Sequence, residues 1–481
     1  MKLEFFLVFM LYFVLGTVVA LISRRFFARE LNDYYIAGKR LSAVVSAGTY
    51  AATTYSAFMM VGLVGLAYST GIGALGFELA YLAATLILLS TIGYKIWSLS
   101  RRKEWISPAQ MLGDLYSSRL LATIITAVYL FAMIPYISAQ VLGLKLIFSY
   151  GGLGKVEALI LSLITIYAWI FIAGMWSVAY TDLYQAIIML FSAIAYIVWL
   201  AIFTSSKGAG FVDVLNILVK SGLLGLTGFW NSHTFIAYTL PWVFFAITNP
   251  QVVVRLYLPR DSKAYRKMVM YFFIYGYLYT VIAVFVGLVA AGLASLGLLP
   301  KIGIRDMVTP YLLTLMHPLL GSIIAVSIIA AAVSTANSIV LAVSGSVLSC
   351  ITPRGKLLLA RIVDLSLVVA AGIVAFLEPG FIVELSVLTS VILLPLVPLT
   401  VLAVYGSQYI GSFTRTLAPI SITAGVLTAV VPSVVLGPTR TFREVILGMP
   451  ISAHVLLTST VVLVAGLLLD FVKHKSTPVA R

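Results

Sequence analysis

Hydroxyl-bearing residues with helical spacing lie within an otherwise apolar segment in the second half of the 481-residue chain. Small or hydroxyl-bearing residues recur at intervals of four, three and four positions and so share one face of a helix: Ser327, Ala331, Ser334 and Ser338. Thr335 adds a hydroxyl next to Ser334. Such a face allows close helix packing, and it can equally present oxygens to a small hard cation such as sodium.

Two other apolar segments contain features that interrupt helices. Residues 48–56 read GTYAATTYS between two apolar halves, and residues 248–251 read TNPQ after Pro241. Proline removes a backbone hydrogen bond and disfavours helical dihedrals in the residue before it, so we predict a break at Asn249-Pro250. The alternative is a mere kink, with the Ser and Thr side chains bonded to their own helix. If the hydroxyl pair faces the unwound carbonyls of residues 52–56, together they form an oxygen-rich cation site.

The composition excludes a soluble protein. The chain is 62% hydrophobic and 10% charged, its mean hydropathy is +1.10, and soluble domains carry about a quarter charged residues. Its apolar runs are about 18 to 28 residues long, too long for the ~10-residue strands of a membrane barrel, so they must be helices. We predict an all-α polytopic membrane protein with about thirteen transmembrane spans: 5–22, 42–68, 73–97, 120–148, 157–174, 181–203, 234–256, 267–297, 319–349, 357–377, 381–404, 416–436 and 452–471.

The distribution of basic residues predicts the orientation. With the N-terminus outside and the C-terminus inside, 22 of the 31 lysines and arginines fall on the cytoplasmic side, as expected for short loops. The net charge of +15 is therefore explained by topology, and no nucleic-acid partner is expected. A single cysteine and four histidines without ligand spacing indicate no disulfide or metal centre. The cytoplasmic linker 98–118 is predicted to hold a short interfacial helix.

The two predicted breaks lie in the second and seventh spans, at the starts of successive blocks of five. Interrupted helices at corresponding positions are typical of secondary transporters built from inverted repeats, because the exposed backbone groups bind ions and substrate at the membrane midplane. A channel would need a filter motif, and a membrane enzyme would need acid/base or metal-ligand residues at membrane depth. Since the sequence offers neither, we expect a transporter and no enzyme.

Four segments together resemble the sodium:solute symporter family, which includes proline, pantothenate, monocarboxylate and sodium/sugar symporters. They follow the family's order: DYYIAGKRL at 33–41 leading into SAG at 46–48 and SAFMMVGL at 56–63; GMWSVAYTDLYQ at 174–185; NPQVVVR at 249–255 with DSK at 261–263; and AAAVSTANS at 330–338. The third segment is most similar to the proline and pantothenate permeases. The last resembles the family's sodium-site helix.

The resemblance implies a LeuT-like core of two inverted five-helix repeats within one transporter domain, 1–481. Residues 1–41 would form an extra helix and linker, 42–203 the first repeat, 234–404 the second repeat, and 405–481 two further helices and a tail. The protein would be a multi-pass protein of the plasma membrane, from a prokaryote. Its partners would be the lipid bilayer and a small organic solute, and no oligomer is required.

The resemblance also implies a site for Na+ as the coupling ion. Its ligands would be the carbonyls of Ala52, Tyr55 and Ala331 and the hydroxyls of Ser334 and Thr335. Three further residues are possible contributors to cation coupling: Thr54, Ser56 and Asp182. Proline permeases have an aspartate and sugar symporters an asparagine where this chain has Thr54, so proton-coupled or uncoupled transport is the alternative. Asp182 has a second interpretation, as a first-turn carboxylate after an N-cap at Thr181.

For the solute, Trp242 and Phe58 align with aromatic residues beside the breaks, and Tyr136 and Gln140 face the same region. The amides beside the second break are Asn249 and Gln251. Apolar walls with few polar side chains favour a small carboxylate-bearing solute, such as an amino acid, a monocarboxylate or pantothenate, over a sugar. With no intramembrane Arg or Lys expected to pair an acid, half-helix amides would bind the carboxylate.

Three other carboxylates receive no functional role at this point. Asp364 is expected to pair with Arg361 at a cytoplasmic helix end. Glu78 and Glu384 are expected to reach water near the outer ends of their spans.

Overall fold

The computed structural model describes residues 3–27, 30–351, 357–377, 382–437, 441 and 444–476. Some of the basic residues used to predict orientation, including Arg354, Lys356 and Arg481, lie outside these ranges. The helices of the first half are α1 Leu3–Ser23, α2 Leu31–Ile36, α3 Ala43–Thr54, α4 Val64–Thr70, α5 Gly73–Leu88, α6 Tyr94–Ser100, α7 Pro108–Leu115, α8 Arg119–Tyr150, α9 Lys155–Ala173, α10 Met175–Ser206 and α11 Phe211–Lys220.

Those of the second half are α12 Ser232–Val243, α13 Phe245–Thr248, α14 Pro250–Tyr257, α15 Ser262–Ser295, α16 Val308–Thr314, α17 Pro318–Ile351, α18 Leu357–Phe376, α19 Ile382–Leu393, α20 Leu396–Tyr405, α21 Ser412–Leu436 and α22 Ile451–Ser476. Two π-helical segments lie at Phe58–Leu63 and Leu89–Gly93. A two-stranded hairpin pairs β1 Val445–Ile446 with β2 Met449–Pro450.

Each of the thirteen predicted spans falls on helical structure. Among the described residues, ten helices are long and apolar enough to cross a membrane, or twelve when each of two bent pairs counts as one span. The remaining predicted span, 234–256, consists of the three short helices α12, α13 and α14. The all-α polytopic fold is confirmed, whereas the count of thirteen and the orientation stay predictions. Helix α7 is the short helix predicted in the 98–118 linker.

The predicted breaks in the second and seventh spans are real. Helix α3 ends at Thr54, Tyr55 is extended (φ −93°, ψ 100°), and the chain resumes as a π-helix and α4. The two halves are bent by 50°. In the seventh span, Phe244 leaves the helical region and Asn249 is extended (φ −79°, ψ 121°), so Pro250 starts a new helix. A third bend, of 49°, separates α19 from α20, and the sequence analysis missed it.

Helix α17, which carries the hydroxyl face, is the central element of the core. Every residue from Ile324 to Ser346 is buried, and the helix packs against α1, α3, α8, α9, α10, α14 and α18. Helices α21 and α22 pack on each other and leave large apolar side chains exposed, among them Val434 and Leu468. Exposed apolar side chains on long helices are expected where lipid is the solvent.

The entrance to α3 and the exit from α14 are joined by backbone bonds. The Leu41 amide donates to the Leu258 carbonyl at 3.0 Å, and the Arg260 amide donates to the Leu41 carbonyl at 3.0 Å. The Trp97 indole adds a bond to the Pro259 carbonyl at 3.0 Å. Both broken helices are thereby fixed to one another at the same end of the molecule.

Gly174 links α9 to α10 in a conformation that an L side chain disfavours (φ +55°, ψ −131°). A Cβ here would also lie 2.5 Å from the Tyr34 carbonyl oxygen. We expect Gly174→Ala to destabilise the protein by about 1–3 kcal/mol, seen as a lower midpoint of thermal unfolding in detergent. Gly228→Ala is the control, because no atom lies within 4 Å of its new Cβ. Equal midpoints for the two variants would contradict this interpretation of the turn.

Candidate cation and substrate site

The adjacent hydroxyls of α17 lie against the broken end of α3. Ser334 Oγ donates to the Ala52 carbonyl at 2.8 Å and to the Ala331 carbonyl at 3.0 Å. Thr335 Oγ1 lies 3.2 Å from the Ala52 carbonyl and 3.1 Å from the Thr53 carbonyl. The structure therefore brings four of the five predicted sodium ligands together and adds the carbonyl of Thr53, which the sequence analysis did not include.

The break explains why these carbonyls are available. In a continuous helix the Thr53 carbonyl would accept from the amide of Ala57, but that amide instead donates to Gln140 Oε1 at 3.3 Å. The Ala52 carbonyl would likewise need the amide of Ser56, which lies beyond the extended residue Tyr55. Hydroxyls take the place of the missing amides, and because each hydroxyl oxygen also has lone pairs, the same groups can face a cation.

The other predicted cation residues occupy the same break with different local bonds. Tyr55 follows α3 directly, and its ring stacks on Phe272 with centroids 5.7 Å apart. Thr54 Oγ1 donates to the Tyr50 carbonyl of its own helix at 2.8 Å. Ser56 Oγ accepts from the Phe58 amide at 3.1 Å and so starts the second half of the broken helix. Roles for these residues in cation coupling stay predictions.

The predicted aromatic walls meet beside the two breaks. The rings of Phe58 and Trp242 lie 5.1 Å apart, and Phe245 stacks on Trp242 at 5.0 Å. Tyr81 packs edge-on against Trp242 at 5.4 Å, a contact that sequence alone did not suggest. Each of these side chains is at most 2% exposed. The apolar wall thus joins the first repeat to the second at the level of both breaks.

Several buried polar atoms beside the wall have no hydrogen-bond partner within the described structure: Tyr136 Oη, Trp242 Nε1, Asn249 Nδ2, Gln251 Oε1 and Gln251 Nε2. Gln140 connects α8 to the first break. Its Nε2 donates to the Tyr136 carbonyl of α8 at 3.4 Å, and its Oε1 accepts from the Ala57 amide. Buried polar groups are normally paired. An unpaired set beside a helix break is what a polar solute would complete.

A buried ion pair lies between α10 and α14, and it corrects two expectations. Arg255 Nη2 is 3.5 Å from Asp182 Oδ2, and both side chains are fully buried, so an intramembrane arginine does pair an acid. Helix α10 begins at Met175 with Gly174 as its N-cap, so Asp182 is two turns into the helix and not a first-turn carboxylate. Thr49 Oγ1 donates to Asp182 Oδ2 at 2.6 Å and accepts from Arg255 Nε at 3.3 Å.

This pair is connected to the hydroxyl site through two residues, Ser338 and Thr53. Arg255 Nη2 donates to Ser338 Oγ at 2.5 Å, and Ser338 Oγ bonds to Thr53 Oγ1 at 2.8 Å. The Thr53 carbonyl accepts from Thr335. A continuous chain of hydrogen bonds therefore runs from the candidate cation site to Asp182. The sequence spacing could have indicated this chain of contacts. Thr49 and Thr53 are four residues apart on one helix face, and so are Gln251 and Arg255.

The three carboxylates that received no functional role, Glu78, Glu384 and Asp364, are also buried, contrary to expectation. Glu384 is paired with Arg305 and accepts from Tyr238 Oη at 3.1 Å. Glu78 is 1% exposed. Asp364 accepts from Tyr34 Oη at 2.7 Å, while the Arg361 guanidinium donates to the Phe171 carbonyl at 2.9 Å, so the expected pair does not form. Tertiary contacts bury these side chains, which a count of apolar residues does not reveal.

The fold and this site define a class: a polytopic helical transporter whose candidate ion and solute sites lie where two helices are broken. The model of the sodium:solute symporter family matches residues 34–409, and the chain belongs to that family. The resemblance found in the sequence is thereby confirmed.

Curated relatives share about a quarter of their residues with this chain. It is 25% identical over 340 residues to the sodium/pantothenate symporter of Haemophilus influenzae, covering 69% of this chain and 67% of the relative. It is also 25% identical over 361 residues to the sodium/proline symporter of Staphylococcus aureus, covering 70% and 65%. The chain thus spans about two thirds of the length of these transporters.

Solved structures share the fold over nearly the whole chain. A substrate-bound, outward-open Na+-coupled sialic acid symporter superposes with a TM-score of 0.78 at 16% identity, covering 98% of both chains. Mhp1 in an inward-facing conformation gives 0.54 at 11% identity, covering 92% of this chain and 93% of that one. At these identities the likeness concerns the fold alone, and it confirms the LeuT-like architecture.

The Asp182–Arg255 pair predicts a characteristic double-mutant cycle. Removing one partner leaves an uncompensated buried charge, so Asp182→Asn or Arg255→Gln should each cost about 3–5 kcal/mol, and the double variant should cost less than either single variant. Midpoints of thermal unfolding in detergent rank the stability losses of the two single variants and the double variant. The exposed Arg260–Asp261 pair is the control, and Arg260→Gln should change stability by about 0–1 kcal/mol. Additive losses from the two buried substitutions would show that they do not act as a pair.

Proposed function

We propose that this protein is a sodium-coupled secondary symporter that imports a small, carboxylate-bearing organic solute by alternating access. The observation that carries the proposal is the contact of the Ser334 and Thr335 hydroxyls with the carbonyls of Ala52 and Thr53 at a helix break. The proposal places the protein in the plasma membrane of a prokaryote, with residues 42–203 and 234–404 as its two repeats.

The chemistry of the hydroxyl site suits sodium. Its groups are neutral oxygens from two helices, and a hard monovalent cation needs several such oxygens rather than a compensating charge. Membership of the sodium:solute symporter family supports the same ion. Proton coupling is the second candidate, because Thr54 stands where proline permeases carry an aspartate and bonds only to its own helix among the described contacts.

The solute side of the site favours a carboxylate. Three of the unpaired buried groups are N–H donors: Trp242 Nε1, Asn249 Nδ2 and Gln251 Nε2. Donors beside an aromatic wall suit an anion or amide with an apolar body, whereas Arg255 is already paired with Asp182. The relatives named for pantothenate and proline are both named for carboxylic acids.

Alternating access is proposed because the predicted site residues are buried and lie beside helix breaks. All fourteen predicted site residues are buried, none more than 4% exposed, so a solute would reach them only after a change in helix position. The 50° and 49° bends give α3–α4 and α19–α20 positions at which half-helices can move separately. A cation at the first break and a solute between the two breaks would link their occupancy to that movement.

Loss of one hydroxyl should weaken sodium binding. Ser334→Ala and Thr335→Ala each remove one oxygen from a site otherwise built from backbone, so we expect the sodium concentration that half-maximally stabilises the purified protein to rise several-fold. This concentration is measured by thermal unfolding in a series of sodium concentrations, with choline added to keep the ionic strength constant.

Thr335→Ser retains the hydroxyl and should restore the wild-type curve. Ser346→Ala is the matched control, because that buried hydroxyl bonds to the Ala342 carbonyl of its own helix. Wild-type sodium curves for both Ser334→Ala and Thr335→Ala would refute the site, and stabilisation by protons in place of sodium would favour the second candidate.

A ligand screen identifies the solute class. Purified protein is heated with proline, pantothenate, lactate, pyruvate, glucose or galactose, with and without sodium. A solute that binds only the folded state at a hundred times its dissociation constant adds about 2.7 kcal/mol of stability. We expect a sodium-dependent shift from one of the acids and none from the sugars. Stabilisation by a sugar alone would contradict the carboxylate assignment.

A further inference from the structure

A strongly basic cavity lies outside the site described above. It has a volume of about 330 Å³, and its lining includes four cationic side chains and one acidic side chain: Lys39, Arg101, Arg102, Lys103 and Glu104. These residues come from two separate segments, the turn before α3 and the turn after α6. The fold, rather than one run of sequence, brings the charges together.

The positive charge of this basic cavity is only partly neutralised. Lys103 pairs with Asp114 at 3.1 Å, but Lys39, Arg101 and Arg102 form no ion pair within the described residues. Lys39 Nζ donates to the carbonyls of Ser100 and Lys103, and Arg101 Nη1 donates to the Lys39 carbonyl at 2.9 Å. Burial and the neighbouring Arg101 charge lower the pKa of Lys39 to about 8. An anion bound here would offset this repulsion.

The depth of the basic cavity identifies the source of that anion. Arg101 and Arg102 follow directly after the membrane span Gly73–Ser100, and Lys39 lies four residues before the start of α3 at Ala43. Both segments therefore lie at the height of lipid headgroups. Clusters of basic residues beside spans bind anionic headgroups, and the predicted orientation places this cluster on the cytoplasmic side, where such lipids attract it.

We propose that the basic cavity binds the phosphate of an anionic phospholipid headgroup, such as phosphatidylglycerol. The bound lipid acts on the junction of the two broken helices. Lys39 and Arg40 run directly into Leu41, whose backbone is bonded to Leu258 and Arg260. A headgroup held by Lys39 and Arg101 lies next to the junction at which α3 begins and α14 ends.

The test measures lipid binding to the purified full-length protein in neutral detergent by native mass spectrometry. The probes are dioctanoyl phosphatidylglycerol, dioctanoyl phosphatidylcholine and inorganic phosphate. We expect wild type to bind phosphatidylglycerol at least tenfold more tightly than phosphatidylcholine, and Arg101→Gln/Arg102→Gln to abolish this preference. The control Lys207→Gln/Lys220→Gln removes one charge just after α10 and one at the end of α11, and should keep the preference.

Three results would overturn the proposal: equal affinity of wild type for the two lipids, an unchanged preference in the Arg101/Arg102 double variant, or an equal loss in the control. Displacement of the lipid by inorganic phosphate at the same concentration would assign the cavity to free anions instead. If the double variant does not fold, the single variant Arg102→Gln is used, because the Arg102 guanidinium makes no hydrogen bond in the described structure. We expect this variant to lose the preference for phosphatidylglycerol several-fold, and an unchanged preference would overturn the proposal. None of these outcomes depends on transport.

Discussion

Unpaired backbone groups are costly in the membrane interior, and this cost governs how the two helix breaks are built. Each break frees amides and carbonyls that water cannot reach. At the first break, Ser334 and Thr335 contact the carbonyls of Ala52 and Thr53, and Gln140 accepts from the freed amide of Ala57. The Ser334 and Thr335 side chains that contact these freed carbonyls are the ones proposed to bind the cation, so the proposal places structural and functional requirements at one position.

The buried charges extend this constraint across the protein. Asp182 and Arg255 face each other in the core, Thr49 donates to Asp182 Oδ2, and Thr49 and Ser338 accept from the Arg255 guanidinium, while Asp182 Oδ1 has no partner among the described residues. Since Ser338 also contacts Thr53, a change at the cation site alters a group that contacts the ion pair. Four helices, α3, α10, α14 and α17, therefore share one polar network, which joins the proposed cation site to the buried ion pair.

Much of the fold was predictable, because apolar runs and prolines act locally. The thirteen apolar segments all proved helical, and the break at Asn249-Pro250 follows from the chemistry of proline. Contacts between distant residues were less accessible: Thr53 and Ser338 are 285 residues apart, and the buried Arg255–Asp182 pair was not expected. The bend before α20 was missed although Pro395 lies there. The family resemblance supplied four of the oxygen ligands that the structure brings together.

The central claim is that Ser334, Thr335 and the carbonyls at the α3 break bind sodium. A high-resolution structure determined once in sodium and once in choline tests it most directly. We predict density for one ion in sodium, coordinated by the hydroxyls of Ser334 and Thr335 and the carbonyls of Ala52 and Ala331, and none there in choline. Identical hydroxyl-to-carbonyl hydrogen bonds in both salts, with no ion between them, would contradict the account.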